Sequence, residues 1–152
     1  LQLGGFIVNS DREHTDNFSF ISHSVPHCTS TELFKYVLRD DSYGVFTGRI
    51  LVAIDAQKTQ AYQTNNNLLL SKTARMQAKP QLEIYADDVK CSHGMTTGQL
   101  SEQALFYMQQ RGIAKDEAKR LLSIAFSEDV LLHLDREELR DEVRELIAER
   151  FA

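Results

Sequence analysis

The sequence predicts a mainly β chain closed by a small C-terminal α-helical unit, its β part stacked as a parallel solenoid or, as the alternative, folded as an antiparallel sandwich. Three observations predict this. Short alternating apolar segments recur through the first hundred residues, where no 3.6-residue period is found. Their starts fall about 15–20 residues apart, with no Asn-Gly or Asp-Gly dipeptide between them, which disfavours tight hairpins and suits coils stacked in parallel. From Ser101 the pattern turns helical.

The strand segments are Phe18 to Ser22, Phe34 to Leu38, Val45 to Ile54, Ala61 to Thr64 and Leu82 to Tyr85. Turn chemistry separates them: Asp40-Asp41-Ser42, Gly44, Gly48, Asn65-Asn66-Asn67, Pro80, Asp87-Asp88 and Gly94. The Asn run reads as a coil corner, because Asn tolerates left-handed backbone and can ladder with its neighbours. Phe34, Tyr36, Phe46, Tyr62 and Tyr85 recur at corresponding coil positions and read as a stacked aromatic core. Lys79 to Leu100, the junction between the two halves, holds Cys91 and His93 two residues apart.

In the helical part, Ser101 is the N-cap of a first helix, with Leu100 and Leu105 as its hydrophobic staple. That helix runs to about Gln110 and stops at Gly112, with Ile113 folding back in a Schellman closure. A second helix is expected from Lys115 to Leu134, with Ala118, Leu121, Leu122, Ala125, Val130 and Leu134 on one stripe. Asp135 with Glu138 reads as a capping box opening a third helix, whose outer face pairs Glu137 with Arg140 and Asp141 with Arg144.

With 152 residues, 42% hydrophobic and 26% charged, the chain can bury one real core or two small ones. A net charge of -5 argues against a general nucleic-acid or anionic-membrane binder, and no apolar run approaches the roughly 18 residues that span a bilayer. Residues 99–152 are the acidic part, with eight Lys/Arg against twelve Asp/Glu. Two cysteines make no disulfide framework and favour a reducing, cytoplasmic setting. The chain begins LQLGG, without an initiator Met, and is read as a piece of a longer protein.

Residues at i and i+2 of a strand share a face, so Cys91 and His93 would project together. Thiolate and imidazole suit soft or borderline metals; the plain alternative is a small buried hydrophobe beside a hydrogen-bonded imidazole. His23, His27 and Cys28 are also close, but His27 and Cys28 are adjacent and would face opposite sides of a strand. Asp87-Asp88 could serve as the acid and base of a β-helical glycosidase, or simply be a solvated turn. No phosphate-binding glycine loop, Ser/His/Asp arrangement or basic patch is present, so an ATP site is not expected in this chain.

The runs PHCTSTELFKYVL from Pro26, GVFTGRI from Gly44, AQKTQAYQTNNNLLLS from Ala56, and KPQLEIYADDVKCSHGMTTGQL followed by ALFYMQQRGI resemble the C-terminal half of the SufB/SufD family of iron–sulfur cluster assembly scaffolds. The resemblance runs from about residue 14 to nearly the end. Its Cys-Ser-His pattern sets it beside the member that pairs with SufB rather than beside SufB itself. Met95 stands where Ala is more frequent and Thr97 where Val is.

The resemblance implies a right-handed parallel β-helix followed by a small helical domain, divided here into residues 1–98 and 99–152. It implies pairing with SufB through the β-helix, docking of the SufC ATPase on the helical domain near Arg111 and Gly112, and ATP bound only by SufC. His93 falls on the family's interface histidine and Cys91 beside it, as ligands to a transient iron–sulfur cluster shared with SufB. The chain would then be a non-enzymatic scaffold, able also to pair with itself as a homodimer through the same surface. A carbohydrate-active or purely structural β-helix is the alternative.

Overall fold

A computed structural model describes residues 1–151. Seven strands form two parallel sheets: β1 (Gln2–Asn9), β3 (Thr29–Leu38), β5 (Gln60–Leu69) and β7 (Lys90–Gly98) in one, β2 (His14–His23), β4 (Tyr43–Val52) and β6 (Arg75–Ile84) in the other. The chain alternates between sheets, making a solenoid-like parallel β-helix of about three turns. Each turn thus holds two strands, whereas the sequence spacing suggested one. In register, Gln2 faces Thr31, Thr29 faces Gln60 and Gln60 faces Lys90. The antiparallel alternative is excluded.

Four corner residues take φ above zero, three of them of the Asp and His types that tolerate it. Asp11 (φ 51°) stacks on Asp40 (φ 56°), and His27 (φ 60°) on Lys58 (φ 63°). Ser71 Oγ and Thr73 Oγ1 both donate to Asp40 O, at 2.5 and 2.6 Å. Asp87 accepts from Gln57 Nε2 at 2.9 Å, and Asp88 pairs with Lys58. The acidic dipeptide is therefore the last step of a corner ladder.

Asn65 to Asn67 are not a corner. They lie within β5, with Asn65 and Asn67 buried and pointing inward. Asn67 Nδ2 donates to Asn65 Oδ1 at 2.7 Å and to Thr96 O at 3.0 Å, so an amide ladder within the solenoid supplies donors and acceptors that a turn would have left to water, although Asn67 Oδ1 stays unpartnered. Gly44, Gly48 and Pro80 likewise sit inside strands; Pro80 is tolerated because β6 is an edge. Two apolar clusters fill the two ends of the lumen. Ile21, Ile50, Val52, Ala61 and Ala86 form one, while Phe34, Tyr36, Leu38, Phe46 and Ala74 form the other. Tyr62 and Tyr85 are exposed, so the aromatic core is smaller than the recurrence predicted.

His23 is buried and its Nε2 lies 2.9 Å from Ser30 Oγ. Burial depresses its pKa, so below the ordinary value of about 6.5 the unfolded chain takes up a proton that the folded chain resists. Stability is thus present above that value and is lost as pH falls through it towards the folded-state value. In urea titrations at pH 7.5 and 5.5, His23→Gln is expected to show a smaller acid loss than the parent, whose single-site slope is at most about 1.4 kcal/mol per pH unit. Equal losses would contradict the assignment.

After β7 the chain is helical: α1 (Glu102–Gln110), α2 (Lys115–Ala125), α3 (Glu128–Leu131) and α4 (Glu137–Arg150). Ser101 caps α1 by accepting from Ala104 N at 3.2 Å. The Schellman closure is present, with Gly112 at φ 83° and Ile113 N donating to Met108 O at 3.2 Å. The predicted second helix is broken in two. Lys35, buried on the outer face of β3, reaches Phe126 O at 3.0 Å and pairs with Asp129, taking a carbonyl out of the helical ladder. The expected Asp135 cap is also absent: Arg136 holds the N-cap position of α4 without a side-chain bond. Arg140 bonds Leu134 O at 2.7 Å instead of pairing with Glu137, whereas Arg144 does meet Asp141. Helices α3 and α4 cover the outer face of the four-stranded sheet, where Val37 and Leu68 pack on Leu131, Ile147 and Phe151.

Candidate functional site

The candidate site lies on β7, the last strand of its sheet. Its register sets Cys91 against Ala61 and His93 against Gln63, both of which are buried. Cys91 and His93 therefore share the inward face, as their spacing predicts, but their surroundings differ. Cys91 is half-buried and packs on the apolar cluster around Ile21 and Ile50. Burial pushes its thiol pKa up, which disfavours the thiolate that metals and electrophiles meet. His93 is exposed, because among the described residues no further coil stacks on β7.

One edge of β7 pairs with β5 and, among the described residues, the other is free. Lys90 N donates to Thr59 O at 2.9 Å; by the alternation of a strand, the amides of Cys91, His93, Met95 and Thr97 point to the free edge. A strand of nine residues with one open edge is a template for another strand. His93 is thus an imidazole carried on a surface shaped for pairing.

The other predicted residues are dispersed. His27 is an exposed corner residue, and His23 is engaged with Ser30. Among the described residues, no three His, Cys, Asp or Glu side chains are arranged to enclose a metal ion. Arg111 and Gly112 close α1; the Arg111 guanidinium lies 5.2 Å from the Tyr107 ring and donates to its hydroxyl at 3.1 Å. Beside Tyr107, Phe106 is also exposed, and α1 buries none of its residues. The exposed aromatic pair was missed in the sequence, although a helix keeping two adjacent aromatics off its apolar stripe is a readable signal.

Sequence reasoning also missed a polar rung inside the solenoid. Glu32 and Gln63 are buried at the register positions that precede His93, and Gln63 Nε2 donates to Glu32 Oε2 at 2.6 Å. A Glu two residues before a buried Phe on the same strand face was the available signal.

The site is thus an exposed imidazole on an unpaired strand of a parallel β-solenoid, with helices beginning a few residues beyond. A family model described as "SUF system FeS cluster assembly, SufBD core domain" matches residues 1–126, and the chain belongs to this SufB/SufD family of iron–sulfur cluster assembly proteins. Within it the likeness to SufD is direct. The iron-sulfur cluster assembly protein SufD of Escherichia coli is 39% identical over 150 residues, covering 99% of this chain and 36% of that protein. A SufBD family protein of Synechocystis is 38% identical over 141 residues, 93% of this chain and 31% of its own length. Protein ABCI7, chloroplastic, of Arabidopsis thaliana is 41% identical over 144 residues, 94% of this chain and 30% of the relative. The chain thus spans about a third of the length of these relatives. Among the described residues, no helix is long and apolar enough to cross a membrane.

Proposed function

We propose that the chain is a non-enzymatic scaffold subunit of a SufBCD-type complex in the cytoplasm, pairing with SufB along the free edge of β7 and docking the SufC ATPase on the helices of residues 99–152. His93 offers an imidazole to a nascent iron–sulfur cluster that forms between the two scaffolds and is passed on. The cluster is cargo, and the protein's part is to present few ligands so that it can leave. ATP is bound by SufC alone. The observation that carries this reading is the exposed His93 on an unpaired strand of a SufB/SufD-family β-helix.

Three further features support it. Replacing thiolate by imidazole is an established way to build an iron–sulfur site, so His93 has suitable chemistry. Cys91, with its raised pKa and apolar contacts, is the weaker ligand. The carbohydrate-active alternative lacks a free acid–base pair at the corner, since Asp87 and Asp88 are engaged by Gln57 and Lys58. A homodimer through β7 is the expected form where SufB is absent, because the same open edge can pair with its copy.

The docking half of the proposal is tested by co-purifying the chain with SufB- and SufC-type partners. Phe106→Asp with Tyr107→Asp, both at exposed positions on α1, is expected to cut SufC retention at least about tenfold and to leave SufB retention and the melting temperature unchanged. Undiminished SufC retention would remove α1 from the docking surface.

A further inference from the structure

Glu32, Gln63 and His93 occupy one rung of the solenoid on three successive coils, Glu32 in register with Gln63 and Gln63 with His93. Glu32 is wholly buried and Gln63 is 1% exposed. Gln63 Nε2 donates to Glu32 Oε2, so the nitrogen is the end of the amide that faces the carboxyl group. Gln63 Oε1 is thereby the atom left over, and it is buried with no hydrogen-bond partner among the described residues. A buried amide oxygen without a donor calls for one.

The rung is shaped for this amide. Gly48 stands opposite, and a Cβ there would lie 2.2 Å from Gln63 Nε2 and 2.8 Å from both Gln63 Cδ and Phe46 Cζ, so a larger residue would push the amide or the ring aside. On the far side of Gln63 the next side chain in register is His93. The same two strands already bond between registered side chains: Thr96 Oγ1 donates to Asn66 Oδ1 at 2.8 Å, and Asn67 Nδ2 to Thr97 Oγ1 at 3.2 Å. Those are shorter side chains than Gln and His, so the reach from Gln63 Oε1 to an imidazole N–H is available by side-chain rotation alone.

We propose that Gln63 is a positioning residue for His93: Gln63 Oε1 accepts a hydrogen bond from one ring N–H of His93. That bond selects the tautomer and leaves the lone pair of the other nitrogen free for iron. Glu32 acts through Gln63, holding the amide so that its oxygen faces His93. The inference rests on the reading of His93 as a cluster ligand, but the orientation itself exists without the cluster.

The test uses the whole chain, labelled with 15N at its five histidines, with the His93 signals identified by their loss in His93→Ala. The parent is expected to show a His93 ring N–H that exchanges slowly enough with water to be seen, and a single tautomer. In Gln63→Met, which keeps the length of the side chain and removes the acceptor, ring N–H exchange is expected to speed up at least tenfold and the shifts to move to those of a tautomer mixture. The double variant Glu32→Gln with Gln63→Glu reverses the amide–carboxylate pair and keeps an oxygen towards His93, so it is expected to restore the protected signal. A parent without a protected His93 N–H, or a folded Gln63→Met or double variant that departs from these results, overturns the proposal. Cluster formation with SufB and SufC is read separately. If His93→Ala leaves it intact while Gln63 governs the ring, the ligand reading fails and the orientation stands; if His93→Ala abolishes it while Gln63→Met leaves the ring unchanged, only the orientation fails.

Discussion

Phe46→Ala is expected to destabilise the protein by about 3–5 kcal/mol, a large part of the 5–15 kcal/mol that holds a typical domain folded. Phe46 is fully buried in the lumen, its ring 4.8 Å from that of Phe34, and it packs with Tyr36 and Leu38. Closing the gap would require two hydrogen-bonded sheets to bend towards each other, so most of the cavity would persist. Phe18 on the preceding coil is 68% exposed, and Phe18→Ala should change stability by less than about 0.5 kcal/mol. Urea titrations of the two variants read the difference. A loss under about 1 kcal/mol for Phe46→Ala would mean that the two sheets are not packed through this ring.

His93→Ala is expected to lower cluster formation in the assembled complex at least about tenfold while leaving the fold and partner retention intact. The side chain is exposed and makes no packing contact that folding needs. Cys91→Ser, two residues away, is expected to lower cluster formation less than about threefold, since burial holds the thiol protonated and its contacts are apolar. Its effect should fall on stability, through a hydroxyl placed among Ile21, Ile50 and Ala61. The reverse order, with Cys91 critical and His93 dispensable, would move the ligand role to the thiol. Anaerobic reconstitution followed by absorption spectroscopy measures both.

The termini of α1 were legible because their causes are local. Ser101 and Gly112 act within four residues of themselves, and both behave as their chemistry predicts. The break between α2 and α3 was not legible, since it is made by Lys35, which stands 91 residues before the carbonyl it captures. The Asn65 to Asn67 run failed for a related reason. Asn favours turns where its amide must satisfy itself locally, but here the neighbouring coil supplies the partners, so the residues stay in the strand. The strand class was readable from period 2, whereas the two-strand coil was not, because the alternation between sheets leaves no mark on a single strand. The shared face of Cys91 and His93 followed from spacing, but their unequal exposure depends on β7 being an edge, and Gln63 enters the picture only once the register is known.

The central claim is that the free edge of β7 is where the chain meets SufB. Amide hydrogen exchange of the chain, alone and with SufB bound, tests it most directly. Cys91, His93, Met95 and Thr97, whose amides point to the open edge, are predicted to exchange at least about tenfold more slowly in the complex, while the amides of Lys90 and Ser92, turned towards β5, change little. Unchanged exchange at those four residues, with protection elsewhere on the chain, would contradict the account.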